Sequence, residues 1–325
     1  MHLVVRLQRV VQPLRTFLLS SKEKRKRHRR FFLEVNYTTE GLRPSLGFVR
    51  RFTPAKLVVH IRMNIQLKKF DPSKMADDKV CVFIGKRGTG KSTLVTDILW
   101  NKRLIPAGIA MSGTEEGNGH YKQFIPDLFV YSDYNKDAVE KIIDRQKRNL
   151  AAGRCQPVFI LMDDCMYDRS FMRDTVIRQL FMNGRHWKIF FMMTTQYCMD
   201  MTPMIRTNVD YVFVLRDNVR QNRENLYKAF FGVFPTFDQF CQVMDACTEN
   251  YECLVLDNTS KSNDVTNCVF WYKAALRKNF KCGSPAFWQF HSRNYNPRHV
   301  QQGGSGSSLA RKPGASSVTV KKVGK

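Results

Sequence analysis

No stretch of this 325-residue chain approaches 18 consecutive apolar side chains, which leaves no candidate for a membrane-spanning helix. Paired C-x-x-C ligands are missing as well. The nine cysteines (Cys81, Cys155, Cys165, Cys198, Cys241, Cys247, Cys253, Cys268 and Cys282) are odd in number and irregular in spacing, so they fit neither a disulfide framework nor a zinc ribbon. The closest grouping, Cys241, Cys247 and Cys253, has five-residue gaps and no partner histidine. These residues read as reduced core thiols of a cytosolic or nuclear protein. No internal repeat is found.

Acid is missing from one whole region: residues 277–325 carry 10 basic side chains and none acidic. Residues 1–75 are nearly as one-sided, with 18 basic and 4 acidic, whereas 76–276 hold 25 against 24. The formal net charge of +25 therefore belongs to two flanking arms, and the centre has the balance of an ordinary globular domain. A polyanionic partner is implied. With 43% hydrophobic residues the centre can bury a real core. The expected organisation is a basic, partly disordered extension over 1–62, a globular part over 63–291 and a basic disordered tail over 292–325.

Within the extension, Leu3, Val4, Val5, Leu7, Val10, Val11, Leu14, Phe17, Leu18 and Leu19 are interrupted by Arg6, Arg9 and Arg15 with no acid among them, the composition of a mitochondrial presequence. Pro13 would break the helix a presequence needs, which speaks against that address. The run Lys24–Arg30 reads as a nuclear address, a phosphate-binding arm or merely a solvated stretch. The Gly- and Ser-rich segment 301–325 has little to bury and reads as a tail able to touch a polyanion without folding.

The globular part opens where Ile65 and Leu67 alternate with polar residues before a turn at Asp71-Pro72-Ser73. Val80–Ile84 is a continuous apolar run suited to a buried parallel strand. It is followed by Gly85-Lys86-Arg87-Gly88-Thr89-Gly90-Lys91-Ser92 and then by helical spacing of Leu94, Ile98 and Leu99 through Trp100. Strand, glycine-rich loop and helix in this order form the phosphate-binding P-loop pattern. Gly85, Gly88 and Gly90 permit a tight loop whose amides face inward, and the helix start adds positive field. The loop and its first helical residues (Gly85, Lys86, Arg87, Gly88, Thr89, Gly90, Lys91, Ser92, Thr93) are the expected ATP-binding set. Lys91 would reach the β and γ phosphates and Ser92 would place its hydroxyl on Mg²⁺.

A second apolar strand, Val158–Met162, delivers Asp163 and Asp164. Asp163 suits the metal side, and Asp164 suits orientation and deprotonation of an attacking water. A third, Lys188–Thr195, delivers Gln196, which could bond the γ phosphate or the water. In a parallel sheet these strand ends share one rim, so Lys91, Asp163, Asp164 and Gln196 are expected to converge.

Together, Ile84–Ser92, Met111–Asn118, Leu161–Asp168, Met182–Trp187, Thr195–Tyr197 and Ile205–Tyr211 resemble the genome-packaging ATPases of nucleocytoplasmic large DNA viruses, of the HerA/FtsK group. The resemblance spans roughly Met63 to His291. It implies a Mg²⁺-dependent ATPase that moves double-stranded DNA as a homo-oligomeric ring, with capsid or inner-membrane virion proteins as partners. The implied location is the virion or viral factory, or host cytoplasm or nucleus for a host-borne copy. It also implies an arginine reaching in from a neighbouring subunit; Arg206 is preferred and Arg185 is the alternative. Residues 1–62 fall outside the resemblance, so a chain starting at Met63 is expected to fold and turn over ATP.

The remaining segments read as scaffold. Ala138, Ile142, Ile143, Gln146 and Leu150 line one face of a helix that stops at Gly153, and Phe171–Met182 reads as another. Cys253–Leu256 and Cys268–Tyr272 read as a strand pair joined by polar residues 257–267. The fold class is α/β, a P-loop NTPase three-layer sandwich around a mostly parallel sheet. Two competing functions are a nucleoside or nucleotide kinase, for which neither acceptor pocket nor Arg-rich lid is identifiable, and a non-hydrolysing nucleotide-switched module that docks DNA or capsid protein, which intact Asp164 opposes.

Overall fold

The computed structural model describes residues 65–165 and 171–296. The presequence-like stretch, the Lys24–Arg30 run, Met63, the 301–325 tail and the Met166–Asp168 end of one motif lie outside those residues. Apart from Ile65, the described chain falls in one compact unit that begins at Gln66.

Nine strands form one sheet: β1 (Lys68–Lys69), β2 (Val80–Ile84), β3 (Ala107–Ser112), β4 (Val130–Tyr131), β5 (Val158–Asp163), β6 (Ile189–Thr195), β7 (Tyr211–Val214), β8 (Glu252–Asp257) and β9 (Val269–Lys273). Their spatial order is β1-β9-β8-β7-β2-β6-β5-β3-β4. Every neighbouring pair is parallel except β7–β8 and β8–β9, so among the described strands β8 alone runs backwards. Strands β2, β5 and β6 are buried along their full length, as their unbroken apolar runs require when both faces are covered.

The helices are α1 (Lys91–Asn101), α2 (Glu115–Asn118), α3 (Lys136–Ala151), α4 (Thr175–Asn183), α5 (Pro203–Arg206), α6 (Arg220–Ala229), α7 (Phe237–Cys247), α8 (Val265–Cys268) and α9 (Pro285–Asn294). Side-chain alternation sorts them between two faces. On one face Leu94, Val95, Ile98 and Leu99 of α1 join a core cluster with Phe83, Phe159, Leu161, Phe190 and Met192. On the opposite face, Phe181 of α4 meets Phe191 of β6 edge-on at 5.0 Å. From β2 the chain crosses rightward in the strand order to β3, and from β5 and β6 it steps back to the left. With right-handed crossovers, those opposite steps place their helices on opposite faces. The strand order therefore reverses between β2 and β6, and a crevice opens there at the carboxyl rim.

Several local expectations are corrected. The α3 stripe is centred on Val139, Ile143 and Gln146, with Ala138 and Ile142 half-buried and Leu150 43% exposed, because the last turn projects beyond the core. Gln146 is tolerated inside because its amide donates to the carbonyls of Gln156 and Trp187 at 2.9 and 2.8 Å. Phe171–Met182 is not one helix. A single turn, Phe171–Arg173, precedes Asp174, whose carboxylate accepts from the Val176 amide at 2.8 Å and starts α4 afresh. Strand β6 starts at Ile189, since Lys188 sits at φ 52°. The connection expected over 257–267 runs over 258–268 and contains α8, and α9 crosses the expected edge at His291 and ends at Asn294. All nine cysteines are free, seven of them buried and Cys241 and Cys247 half-buried. Among the described residues no helix is long and apolar enough to cross a membrane.

Candidate nucleotide-binding and hydrolytic site

The rim crevice is built first by the loop after β2. The Gly85 amide donates to the Thr195 carbonyl at 3.1 Å, which pins the loop's start to the end of β6. A Cβ at Gly85 would stand 2.8 Å from Thr89 Oγ1 and 2.9 Å from Leu215 Cβ, so the close approach of those side chains requires glycine. Thr89 Oγ1 donates to the Lys86 carbonyl at 2.7 Å and tightens the turn. Gly90 stands at φ 96°, left-handed backbone that turns the chain into α1. No side chain caps that helix. Its first-turn amides therefore lack intrahelical partners and face the loop, a ready site for an anion.

Within the loop, Lys91 Nζ donates to the Gly85 carbonyl at 2.7 Å, so the ammonium lies over its own loop. Ser92 is exposed at the helix start, and Thr93 is half-buried beside it. Arg87 and Gly88 form the exposed tip. Lys86 points elsewhere, pairing with Asp217 Oδ1 at 2.9 Å and with Asn218 at 3.4 Å in the segment after β7.

Strands β5 and β6 bring the acids and amide. Asp163 ends β5, buried, with Tyr121 donating to Oδ2 and Thr194 donating to Oδ1, both at 2.7 Å. The Asp164 amide donates to Thr194 Oγ1 at 3.0 Å. Asp164 itself lies at φ 56°, a left-handed conformation uncommon for a residue other than glycine and tolerated best by Asp and Asn. That reversal separates the two carboxylates: Asp163 stays in the core, and Asp164 Oδ1 comes within 3.5 Å of Gln196 Nε2. The last distance is at the long limit of a hydrogen bond.

Tyr121, Thr194 and Glu115 were not anticipated. Burial, reinforced by the Asp163 charge, raises the Tyr121 hydroxyl well above the usual tyrosine range, so it remains a donor. Glu115 is buried and accepts from the amides of Tyr121 and Lys122 at 3.0 and 3.1 Å, fixing the turn that carries the ring. Thr194 had a visible signal, the first of two threonines that close an otherwise apolar strand before Gln196. Tyr121 had none, since its bond to Asp163 spans 42 residues.

The two arginines differ in circumstance. Arg185 Nη1 pairs with Asp210 Oδ1 at 3.1 Å, and Asp210 also accepts from the Val80 amide at 2.9 Å. Burial pushes the Asp210 carboxyl up, an effect that its bonds to Val80 and Arg185 oppose. Val80 and Asp210 lie where β2 and β7 begin, so Arg185 is at the amino end of the sheet, opposite the loop. Arg206 ends α5 with Nη1 3.4 Å from Met199 Sδ, and among the described residues no carboxylate lies within ion-pair distance of it.

No family model matches the chain. It is 36% identical over 244 residues to the uncharacterized protein L437 of Acanthamoeba polyphaga mimivirus, covering 72% of this chain and 86% of that protein. It is 41% identical over 192 residues to the uncharacterized protein 088R of Invertebrate iridescent virus 3, covering 59% and 74%. Among solved structures, B204, the DNA-packaging ATPase from Sulfolobus turreted icosahedral virus, aligns with a TM-score of 0.45 at 17% identity over 62% of this chain and 100% of that one. By its likeness to the mimivirus and iridescent-virus proteins, the chain belongs to one family with these proteins of large DNA viruses.

Proposed function

We propose that this protein hydrolyses ATP to ADP and phosphate and couples the reaction to moving double-stranded DNA into a viral capsid. One observation carries the reading: the uncapped start of α1, with Lys91, faces the same crevice in which Asp164 and Gln196 meet from adjacent strand ends. Backbone amides of Gly85–Thr93 and the Lys91 ammonium hold the triphosphate. Asp164 accepts a proton from the attacking water, whose oxygen bonds to the γ phosphorus while the bond to the bridging oxygen breaks and ADP leaves. Gln196, touching Asp164, orients that water.

The donor set suits Mg²⁺, which takes hard oxygen ligands and keeps several waters. The exposed Ser92 hydroxyl and the Asp163 carboxylate would hold it, each Asp163 oxygen keeping a lone pair beyond the hydroxyl bond it accepts. When bound, the ion neutralises charge on the phosphates. For the arginine supplied to a neighbouring subunit, Arg206 is favoured, because Arg185 is already paired with a buried carboxylate. The basic arms are assigned to sequence-independent phosphate contacts that hold DNA near a homo-oligomeric ring, with capsid proteins as its docking partners in the virion or viral factory.

The test is ATP turnover with and without double-stranded DNA, with native mass measured in the same buffer. Turnover raised by DNA and a mass several times that of one chain are expected. Absence of turnover in a folded, magnesium-supplied sample overturns the hydrolytic reading. Turnover indifferent to DNA leaves an ATPase but removes the motor.

A further inference from the structure

We infer that Tyr251 is the platform on which the base of the bound nucleotide stacks, a role that rests on the triphosphate reading of the P-loop. The direction of the nucleotide follows from strand order. Asp164 and Gln196, which serve the γ-phosphate end, lie at the ends of β5 and β6, to one side of β2. The base must therefore leave the loop toward the other side, where β7 and β8 lie. Strand β8 is the reversed one, and its pairing of Leu254 with Val214 sets its first residues at the same rim where β7 ends. Tyr251 immediately precedes it.

Three observations single out this residue. Its ring flanks the P-loop: a Cβ on Gly90 would stand 3.3 Å from Tyr251 Cδ1. The ring is not part of the core, since Tyr251 is 72% exposed. The backbone is nevertheless held in an unfavourable state, with Asn250 at φ 51° and Tyr251 at φ 63°, two successive left-handed residues neither of which is glycine. A bulky side chain in that conformation costs energy that burial does not offset here. What the turn achieves is to present an aromatic face at the edge of the phosphate loop, and an aromatic face is what a nucleobase stacks on. Such a platform reads the flat face of the base and leaves its hydrogen-bonding edge unread, so it serves ATP and GTP alike.

The experiment is calorimetric titration of ATP, and separately of inorganic tripolyphosphate, into the full chain with magnesium, into Tyr251→Ala and into Tyr251→Phe. Loss of a stacking partner is expected to weaken ATP binding about tenfold in Tyr251→Ala and to leave tripolyphosphate binding unchanged, with Tyr251→Phe close to the parent for both. If the parent binds both ligands and Tyr251→Ala keeps full ATP affinity, or loses both ligands equally, the platform is overturned while the P-loop reading stands. A parent that binds neither overturns the P-loop reading and the platform with it.

Discussion

Strand β5 ends in Asp163 and strands β2 and β6 are followed at once by Gly85 and Gln196 at the same rim, whereas β9 is followed by a segment that reaches back to hold helix α1 from its side. In the parallel half every crossover returns the chain to the same end, so polar residues collect at one rim and face a common crevice. At the β7–β8–β9 edge the direction alternates, and the polar contacts are supporting ones. Asp97 of α1, fully buried, accepts from the Tyr272 hydroxyl, from the Ala275 amide at 3.0 Å and from Arg277 Nε at 2.7 Å. Arg277 also lies 3.6 Å from the centroid of the Trp100 ring. The comparison teaches a division of labour: the parallel half gathers the candidate site's polar residues at one rim, and the other half fixes helix α1, which follows the glycine loop.

The sharpest way to separate the halves is to alter a group from each. Asp164→Asn removes the proton acceptor in the parallel half, and kcat is expected to fall by about 10²–10⁴ with ATP affinity retained. Steady-state kinetics beside a binding titration checks this, and an unchanged kcat would show that Asp164 is not the proton acceptor. Asp97→Ala strikes the supporting half. It leaves Arg277, the buried Tyr272 hydroxyl and the Ala275 amide without their acceptor, for an expected stability loss of about 3–5 kcal/mol by urea denaturation. A loss below about 1 kcal/mol would show that the edge does not anchor α1.

A finer probe stays within the parallel half. Tyr121→Phe deletes the hydroxyl that steadies Asp163 Oδ2 while keeping the ring's packing. Because such outer contacts orient a metal-side carboxylate, activity at limiting magnesium is expected to drop about 10–100-fold, with partial recovery at high magnesium. Equal magnesium dependence in parent and variant would show that Asp163 needs no such positioning. The smallest effect belongs to Leu150→Ala. Read from periodicity alone, Leu150 is a core residue; at 43% exposed its removal should shift stability by no more than about 0.5 kcal/mol in thermal unfolding.

That case shows where the sequence is legible. Val80–Ile84, Val158–Met162 and Ile189–Met193 are unbroken apolar runs, and strands β2, β5 and β6 form over them. The P-loop announces itself because its glycines and Lys91 sit in one short segment. Strand β3 was not legible, since Ala107-Gly108-Ile109-Ala110 is poor in β-branched and aromatic residues and its placement beside β5 is set by tertiary pairing. The same is true of Tyr121, and Glu115, although inside the Met111–Asn118 motif, has contacts to Tyr121 and Lys122 that the motif alone does not reveal. Arg185 is a case between: its charge was visible, and its partner Asp210, 25 residues on, was not.

The central claim is that a triphosphate is gripped by main-chain amides and Lys91. Calorimetric titration of Mg–ATP into the full chain and into Lys91→Ala tests it most directly. The account predicts saturable binding by the parent and at least a tenfold weaker affinity in the variant, about 1.4 kcal/mol. Equal affinity in the two proteins would contradict it.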